Sequence, residues 1–277
     1  MLTIVLGQVV PAGAQDLAKS GQQIAPIPID QLGAAATKQY QGNGLSVRAA
    51  ADGARLRCVF QRLEGHATSD GLWLTSTAKD ATGEQFRVVA AAVGRQRAEL
   101  STLNLQLSTL PHTGTLQMAD NLARLIRPGL TEDYSVSQDG VRQDFVIAER
   151  PAGVGDLRVE LRLSGAQAEA AAYGARLTLE GSRRALAYNR LRVQDAKGQQ
   201  LTARLEVLSA DRLAVRVTDA SATYPVRIDP TFSDADWSAL GSGMDYPVNA
   251  LAVSGTNLYA GGQFTTAGGV TANSIAQ

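Results

Sequence analysis

The stretch Leu157-Arg158-Val159-Glu160-Leu161-Arg162-Leu163 decides the predicted fold, because its apolar and charged residues alternate. In a β-strand successive side chains point to opposite faces, so the apolar residues share one face and the charged residues share the other. This pattern predicts a half-buried strand of an antiparallel sheet. The same scheme recurs from Leu201 to Val207 and from Leu213 to Val217.

A hairpin is predicted around Asp139-Gly140, which separates Tyr134 to Val136 from Val141 to Ile147. An Asp-Gly dipeptide readily takes the positive φ angles of a tight turn. Because half-buried strand faces must cover one another, we expect an antiparallel β-sandwich module over residues 130–232. The charged outer faces are interpreted as solvated surfaces that resist aggregation, with a functional basic patch as the alternative.

Upstream, residues 45–127 are predicted to form a separate N-terminal β domain, because short apolar runs alternate with turn signals. The runs are Leu45 to Val47, Leu56 to Phe60, Leu72 to Leu74 and Phe86 to Val89, and the turn signals are Asp52-Gly53, Glu64-Gly65 and Thr82-Gly83. The segment from Leu116 to Arg127 fits either strands or a helical face. Pro128-Gly129 ends it in either case.

Composition excludes several classes of function. The chain has 277 residues, with 26 Lys plus Arg against 26 Asp plus Glu, so its formal net charge is zero and nucleic acid is not an expected partner. A single cysteine, Cys58, excludes an internal disulfide, and we expect it to be a small core residue. Two histidines, His66 and His112, cannot form a three-histidine metal centre.

The N-terminus is predicted to be a signal peptide over residues 1–14. Leu2 to Val10 is apolar, and Ala12-Gly13-Ala14 has the small-residue pattern of a cleavage site. The apolar run is shorter than the ~20 residues that span a bilayer, so no membrane span is expected in the mature chain. A frayed or strand-forming N-terminus is the alternative, and the absence of Lys or Arg before Leu2 leaves open whether Met1 is the true start. Residues 15–44 are predicted to be a proline-punctuated lead-in.

Three motifs are candidates for chemistry, and each has a simpler interpretation. Leu110-Pro111-His112-Thr113-Gly114 matches the LPxTG pattern that sortases cut, but ordinary β sequence follows it, so a turn is predicted. Asp234-x-Asp236 offers too few ligands for calcium. The glycines of Gly153-Val154-Gly155 and Gly241-Ser242-Gly243 lack the setting of a phosphate loop and are interpreted as turns.

The larger aromatic residues are candidates for platforms that bind sugar rings, but packing within the fold is the preferred interpretation. These residues are Trp73, Trp237, Tyr246, Tyr259 and Phe264. We therefore predict no catalytic residue, no cofactor and no metal site in this chain.

The segment Tyr224-Pro225-Val226-Arg227-Ile228-Asp229-Pro230-Thr231 resembles the YPV-x-IDPT ending of a β-rich module. Such modules are common in large bacterial secreted and cell-surface proteins, often ahead of Rhs/YD-type repeats. Gly140 to Ile147 and Leu191 to Gly198 also resemble that module. The prolines predict an exit strand with a hard stop, in which Asp229 caps a turn.

Residues 233–277 resemble one repeat of bacterial kelch-like, or delta-60-type, β-propeller arrays. The similarity lies in Trp237 to Gly243, Val248 to Val253, Leu258 to Phe264 and Ala272 to Ala276. The resemblance implies a first, truncated propeller repeat, with the strand Val248 to Val253 beside a hairpin of Asn257 to Phe264 and Val270 to Ile275. It also implies that the sequence is an N-terminal fragment of a longer repeat protein.

Together these observations predict an all-β, non-catalytic, exported structural or binding protein. The resemblances imply a secreted or cell-surface location and a partner that is an extracellular protein or a glycan. The alternative is a propeller-type oxidase or hydrolase whose active site lies in repeats beyond residue 277.

Overall fold

The computed structural model describes residues 36–38, 40–96, 105–235, 243–254 and 257–277. These residues form an all-β protein of antiparallel sheets, as predicted. Within the described ranges, no helix has the length and apolarity that a membrane crossing requires. The predicted signal peptide, most of the lead-in, Asp236 and Trp237 lie outside the described residues.

The first large sheet begins with a meander of five consecutive strands. Its order is β1-β2-β3-β4-β5-β11-β16-β15, and β6 also pairs with β5. The strands are β1 (Leu45–Ala50), β2 (Gly53–Cys58), β3 (Leu63–Thr68), β4 (Gly71–Ser76), β5 (Gln85–Gln96), β6 (Leu105–Thr109), β11 (Asp156–Ser164), β15 (Ala203–Ser209) and β16 (Arg212–Val217).

The second large sheet has the order β12-β13-β14-β17-β10-β9-β8-β7. Its strands are β7 (Thr115–Ala119), β8 (Leu122–Arg127), β9 (Leu130–Ser137), β10 (Gly140–Ile147), β12 (Ala166–Ala171), β13 (Gly174–Leu179), β14 (Ala185–Gln194) and β17 (Val226–Asp234). The ambiguous segment from Leu116 to Arg127 therefore forms two strands of a hairpin and no helix.

Both large sheets draw strands from the two segments that the sequence suggested as separate domains. In the first sheet β5 pairs with β11, which follows residue 130, and in the second sheet β8 pairs with β9 across Pro128-Gly129. The boundary placed between residues 127 and 130 therefore lies within a hairpin of one sheet. Alternation of residue types shows which face of a strand is buried, but it does not show which strand is the partner.

The inner faces of the two sheets contribute to one hydrophobic cluster, which we call the body core. Phe86 of the first sheet meets Phe232 of the second edge to face, with ring centroids 5.7 Å apart, and Tyr188 stacks on Phe232. Cys58 is buried in this core as predicted, and its Sγ donates to the carbonyl oxygen of Ser137 at 3.3 Å. Burial raises the pKa of the Cys58 thiol to about 12.

A β-bulge in β5 brings a charged residue into the interior. The register with β11 shifts by one residue around Ala91, so Ala90 faces Leu161 while Ala92 faces Glu160. An odd-numbered residue before the bulge, such as Arg87, points outward, whereas Arg95 after the bulge is buried. The bulge therefore reverses the face of every later residue in the strand.

The hairpin of β9 and β10 forms where it was predicted, with Ser137 opposite Gly140. The turn residues are Gln138 and Asp139, and Gly140 is the first residue of β10 with a φ of 147°. A Cβ atom at Gly140 would lie 2.0 Å from the carbonyl oxygen of Phe232. The glycine is thus required by close contact with β17 as well as by the turn.

One predicted turn and one predicted strand end were wrong. Glu64-Gly65 lies inside β3, where a Cβ atom on Gly65 would be 3.1 Å from Leu56 Cβ on the neighbouring strand. Pro230 does not end a strand either, because β17 continues through it to Asp234 in the middle of the second sheet. On one side the neighbouring strand β14 has a bulge opposite Pro230, where Arg190 takes a φ of 55°.

Residues 243–254 and 257–277 form two small sheets, which we call the terminal sheets. β18 (Val248–Ser254), β19 (Asn257–Gly262) and β22 (Ile275–Ala276) form one, and β20 (Thr266–Ala267) pairs with β21 (Val270–Thr271) in the other. The predicted strand of Val248 to Val253 is confirmed beside β19. The predicted hairpin was wrong in part, because Val270 pairs with Ala267 across Gly268-Gly269 while Ile275 pairs with Gly261.

Candidate functional site

A concave groove of about 680 Å³ lies on the outer face of β1 to β4 and the start of β5, at one end of the first sheet. The strand register places its outward side chains in two rows that run across the strands. The first row is Arg48, Arg55, His66 and Trp73, and the second row is Ser46, Arg57, Glu64, Thr75 and Gln85. We call this feature the arginine groove.

The arginines of the groove are not all paired with carboxylates. Arg55 donates from Nη2 to Asp52 Oδ2 at 3.3 Å. Arg48 and Arg57 are exposed, and within the described part of the chain neither has a hydrogen-bond or ion-pair partner. Arg48 lies directly opposite Arg55 in the register of β1 and β2. Like charges in such a cross-strand pair repel each other, so the groove carries an unsatisfied positive charge.

The opposite end of the first row combines an imidazole with an indole. His66 Nε2 lies 3.1 Å from Asp52 Oδ2. Partial desolvation raises the pKa of Asp52, but its own backbone N–H, His66 and Arg55 lower it, and the pKa lies below its usual value. The guanidinium of Arg87 on β5 lies 4.8 Å from the Trp73 ring centroid, and its Nη1 donates to Asp70 Oδ2 at 3.3 Å. Trp73 is therefore held in place while it lines the groove.

A second cavity, of about 520 Å³, lies further along the same outer face, near the bulge of β5. Arg87, His112 and Arg162 are among the residues that line it. Glu160 also lines it and accepts a hydrogen bond from Arg212 Nη2 at 2.9 Å. The two cavities are adjacent, since Arg87 covers Trp73 between them.

The remaining outer face of the first sheet is a network of paired charges. Arg158 donates to Glu206 at 3.0 Å and to Glu160 at 3.3 Å, and Arg216 donates to Asp156 at 2.8 Å. These arginines have carboxylate partners, in contrast to Arg48 and Arg57. The charge alternation that predicted β11 thus produces cross-strand ion pairs here.

A buried polar cluster joins the two sheets near the body core. Glu132 accepts hydrogen bonds from Arg127, from Tyr134 at 2.9 Å and from Gln143 at 2.7 Å. Tyr188 donates to Gln143 Oε1 at 3.1 Å. Burial raises the pKa of Glu132, and its three donors oppose that rise. Gln143 Nε2 also donates to the carbonyl oxygen of Val88 on β5 at 2.9 Å, so the cluster ties the second sheet to the first.

The LPHTG segment and Asp229, which the sequence singled out, both make contacts within the fold. In the LPHTG segment, Leu110 is buried, its N–H donates to Ala91, and the carbonyl oxygen of Pro111 accepts from Arg127 at 3.1 Å. Asp229, predicted to cap a turn, lies within β17 and instead accepts hydrogen bonds from Arg142. These contacts are structural.

Asp234 is buried and accepts hydrogen bonds from Arg62 and Arg184, which leaves it committed to the fold. Its predicted companion Asp236 lies outside the described residues, as do Gly241 and Ser242. Gly153 and Gly155 form a bend before β11, where the carbonyl oxygen of Gly155 accepts from Arg95. Across the described ranges, no group of three or more His, Cys, Asp or Glu residues could hold a metal ion.

The aromatic residues considered as sugar platforms lie in different environments. Trp73 lines the arginine groove, Phe264 is fully buried in the terminal sheets, and Tyr246 is 61% exposed. Only the strand register, which the sequence does not state, brings Trp73 and the arginines together. The signal available in the sequence was the set of polar residues at alternate positions of β1 to β4.

The sequence matches no protein-family model and no curated protein. Among solved structures, the chain is similar to a family GH92 alpha-mannosidase from Bacteroides thetaiotaomicron, with 12% sequence identity and a TM-score of 0.33. The similarity covers 64% of this chain and 30% of the mannosidase chain. A structure of that mannosidase with mannoimidazole bound gives the same values.

Proposed function

We propose that this chain is a non-catalytic binding protein of the cell surface or the extracellular space, and that the arginine groove is its recognition surface. The observation that carries the proposal is the groove itself. Its volume of about 680 Å³ falls within the usual range of ligand sites, and its arginines include two without a carboxylate partner. Polar groups that a fold leaves unpaired at a concave surface are available to a ligand.

A binding role fits the groove better than a catalytic one. Ser46, His66 and Asp52 are the residue types of a catalytic triad, and Asp52 lies beside His66. However, β2 separates Ser46 from His66, so two strand spacings, about 10 Å, lie between them. A serine must be within hydrogen-bond reach of its histidine to be activated.

The proposed architecture has two parts. The two large sheets form a β-sandwich, which is supported by the body core that both inner faces share. Residues 233–277 form the first blade of a β-propeller, which is supported by the resemblance to kelch-like repeats and by exposed apolar residues such as Leu251 and Ile275. Such a face suits the packing of one blade on the next.

Export is proposed from the N-terminal sequence. The apolar run from Leu2 to Val10 and the small residues before Gln15 suit a secretory signal that is cleaved near Ala14. N-terminal sequencing of the mature protein from a bacterial host would test this. A mature chain in the cytoplasm that retains Leu2 would contradict it.

Binding without turnover is the outcome that tests the proposed function. The 277-residue chain would be applied to an array of neutral and acidic glycans and extracellular proteins, and each bound ligand would then be incubated with the chain and analysed for products. We expect a ligand that is retained and recovered unchanged. Conversion of the ligand, abolished by one substitution in this chain, would show an enzyme instead.

A further inference from the structure

We propose that the arginine groove binds an acidic oligosaccharide, with a carboxylate or sulfate group seated between Arg48 and Arg55 and a sugar ring against Trp73. This inference rests on the proposed binding function and specifies its ligand. It depends on three properties of the groove, which are its charge, its mixture of side chains and its length.

The first property is the positive charge of the arginine groove. Arg48 and Arg55 are directly opposite each other on neighbouring strands, and only Arg55 has a carboxylate partner, Asp52. Arg57, two residues along the same strand as Arg55, has no partner in the portion of the chain that the structure describes. A planar oxyanion accepts two parallel hydrogen bonds from a guanidinium. An anion between Arg48 and Arg55 would replace repulsion with attraction.

The mixture of side chains argues for a ligand with many hydroxyl groups. Next to the arginines lie a carboxylate, an amide and hydroxyls, from Glu64, Gln85, Thr75 and Ser46. Carboxylate and amide oxygens accept hydrogen bonds that sugar hydroxyls donate. The indole of Trp73 adds an apolar surface for the C–H face of a ring.

The same mixture disfavours nucleic acid. A polyphosphate needs a continuous basic track, but Glu64 stands directly opposite Arg57 and Asp52 and Asp70 flank the groove. The chain as a whole has no net charge. A ligand with a low density of negative charge fits these positions, and an acidic saccharide is such a ligand.

The length of the groove sets the size of the ligand. Arg48 lies on β1 and Trp73 on β4, so three strand spacings, roughly 14 Å, separate their backbones. One sugar ring does not reach both positions. An oligosaccharide with its acidic group on one ring and a neighbouring ring at the indole does.

The experiment measures binding of short oligosaccharides to the full 277-residue chain by titration calorimetry at low and at high salt. The probes are trigalacturonic acid, a κ-carrageenan tetrasaccharide that carries one sulfate per disaccharide and no carboxylate, neutral maltotriose and a short oligo-dT. The first two distinguish a carboxylate from a sulfate as the preferred anion. We expect the acidic saccharides to bind more tightly than maltotriose and oligo-dT, with affinity that falls as salt rises.

The variant that tests the site is Arg48→Gln combined with Arg55→Gln. Its matched control is Arg162→Gln combined with Arg204→Gln, which removes the same charge from the same face of the sheet at β11 and β15. We expect at least a tenfold loss of affinity, on the order of the charge-assisted bonds removed, in the first and less than about a twofold change in the control. Equal losses in both would overturn the proposed site.

Fluorescence locates the ligand independently. The chain has two tryptophans, so Trp237→Phe leaves Trp73 as the only indole. We expect trigalacturonic acid to change the emission of this variant, and the change to disappear when Arg48 and Arg55 are also replaced. Tightest binding of oligo-dT or of maltotriose would refute the ligand class while leaving a binding protein. Product formation would refute the proposed function whichever ligand binds.

Discussion

The two-sheet body and the terminal sheets are built from similar alternating sequence but differ in what covers their apolar faces. In the body, two inner faces meet and bury residues such as Phe86 and Phe232. In the terminal sheets, Ala260 and Phe264 are buried, whereas Leu251 is 65% exposed and Ile275 is 70% exposed. Alternation thus produces strands in both regions, but a second apolar face is what produces a core.

The polar contacts of the two regions differ in the same way. In the body, Arg95 and Asp219 form a buried pair at 2.5 Å, and Tyr224 donates to the other oxygen of Asp219 at 2.6 Å. In the terminal sheets, exposed Asp245 accepts hydrogen bonds from exposed Thr265 and half-buried Thr266. Loss of a buried link costs more than loss of an exposed one.

The largest expected effect is on the body core. Phe232→Ala removes the ring that contacts both Phe86 and Tyr188, and we expect a loss of about 4 kcal/mol in the free energy of unfolding, through lost burial and the cavity left behind. Chemical denaturation followed by far-ultraviolet circular dichroism measures it. A loss below about 1 kcal/mol would mean that the two sheets do not depend on each other as described.

The next effect concerns the buried ion pair. Asp219→Asn leaves the Arg95 guanidinium buried without its counter-charge, and we expect a loss of about 3 kcal/mol at neutral pH. Asp219→Ala is the wrong comparison because it also creates a cavity, whereas Asn preserves the shape. Thr178→Val, at another strand position, provides a control with a small change.

The pH dependence of this loss has a definite sign. Burial raises the pKa of Asp219, but hydrogen bonds from Arg95 and Tyr224 outweigh it, so the pKa lies below its usual value of ~3.9. The ionised carboxylate therefore stabilises the fold above that value, and this contribution disappears as the pH falls through the lowered pKa. The stability difference between wild type and Asp219→Asn should shrink below about pH 4. A constant difference would contradict the assignment.

A smaller effect on the stability of the whole chain is expected from a substitution in the terminal sheets. Phe264→Ala should unfold the terminal sheets while changing the main unfolding transition by less than about 0.5 kcal/mol, because Phe264 lies outside the body core. Limited proteolysis with mass spectrometry checks it. In wild type we expect loss of the region after residue 235 before any cut within residues 130–232, and in the variant a faster loss. Equal resistance of both regions would show that the terminal sheets dock on the body.

The smallest effect is expected at Asp245. Hydrogen bonds from the Thr265 hydroxyl and the Thr266 backbone lower the pKa of Asp245 to about 2. These hydrogen bonds to the ionised carboxylate are therefore fully present above the usual pKa of an aspartate, and they weaken as the pH falls toward 2. Asp245→Ala should shift the amide resonances of Thr265 and Thr266 and leave those of the body unchanged. Asp245→Asn, which keeps one carbonyl acceptor, should shift them less. Shifts that reach the body would contradict the separation of the two regions.

Much of the secondary structure could be predicted from the sequence, because burial on one face leaves a period of two. The strand LRVELRL forms β11, and the Asp139-Gly140 hairpin forms near its predicted place. The errors came from single residues judged without their partners. Gly65 looked like a turn residue and is a strand residue beneath Leu56, and Pro230 looked like a stop and lies opposite a bulge.

The candidate site could not be predicted, for a related reason. The residues of the arginine groove are spread from Ser46 to Gln85, and each alone is an ordinary outward residue of a strand. The groove depends on the register of five strands, β1 to β5, whereas hydrophobic patterning specifies only which face of each strand is buried. The inward turn of Arg95 was equally hidden, since it follows from one extra residue in β5.

The strand order has a consequence for how the chain is made. β17 is the last strand of the body in sequence, yet it lies in the middle of the second sheet, between β14 and β10. During synthesis from the N-terminus, both of those strands must wait with open backbone edges until residue 234 has left the ribosome. Open edges of this kind pair with other chains. A nascent chain that stalls before Val226 therefore exposes the unpaired edges of β14 and β10. Chaperones that bind such edges would act before β17 is inserted.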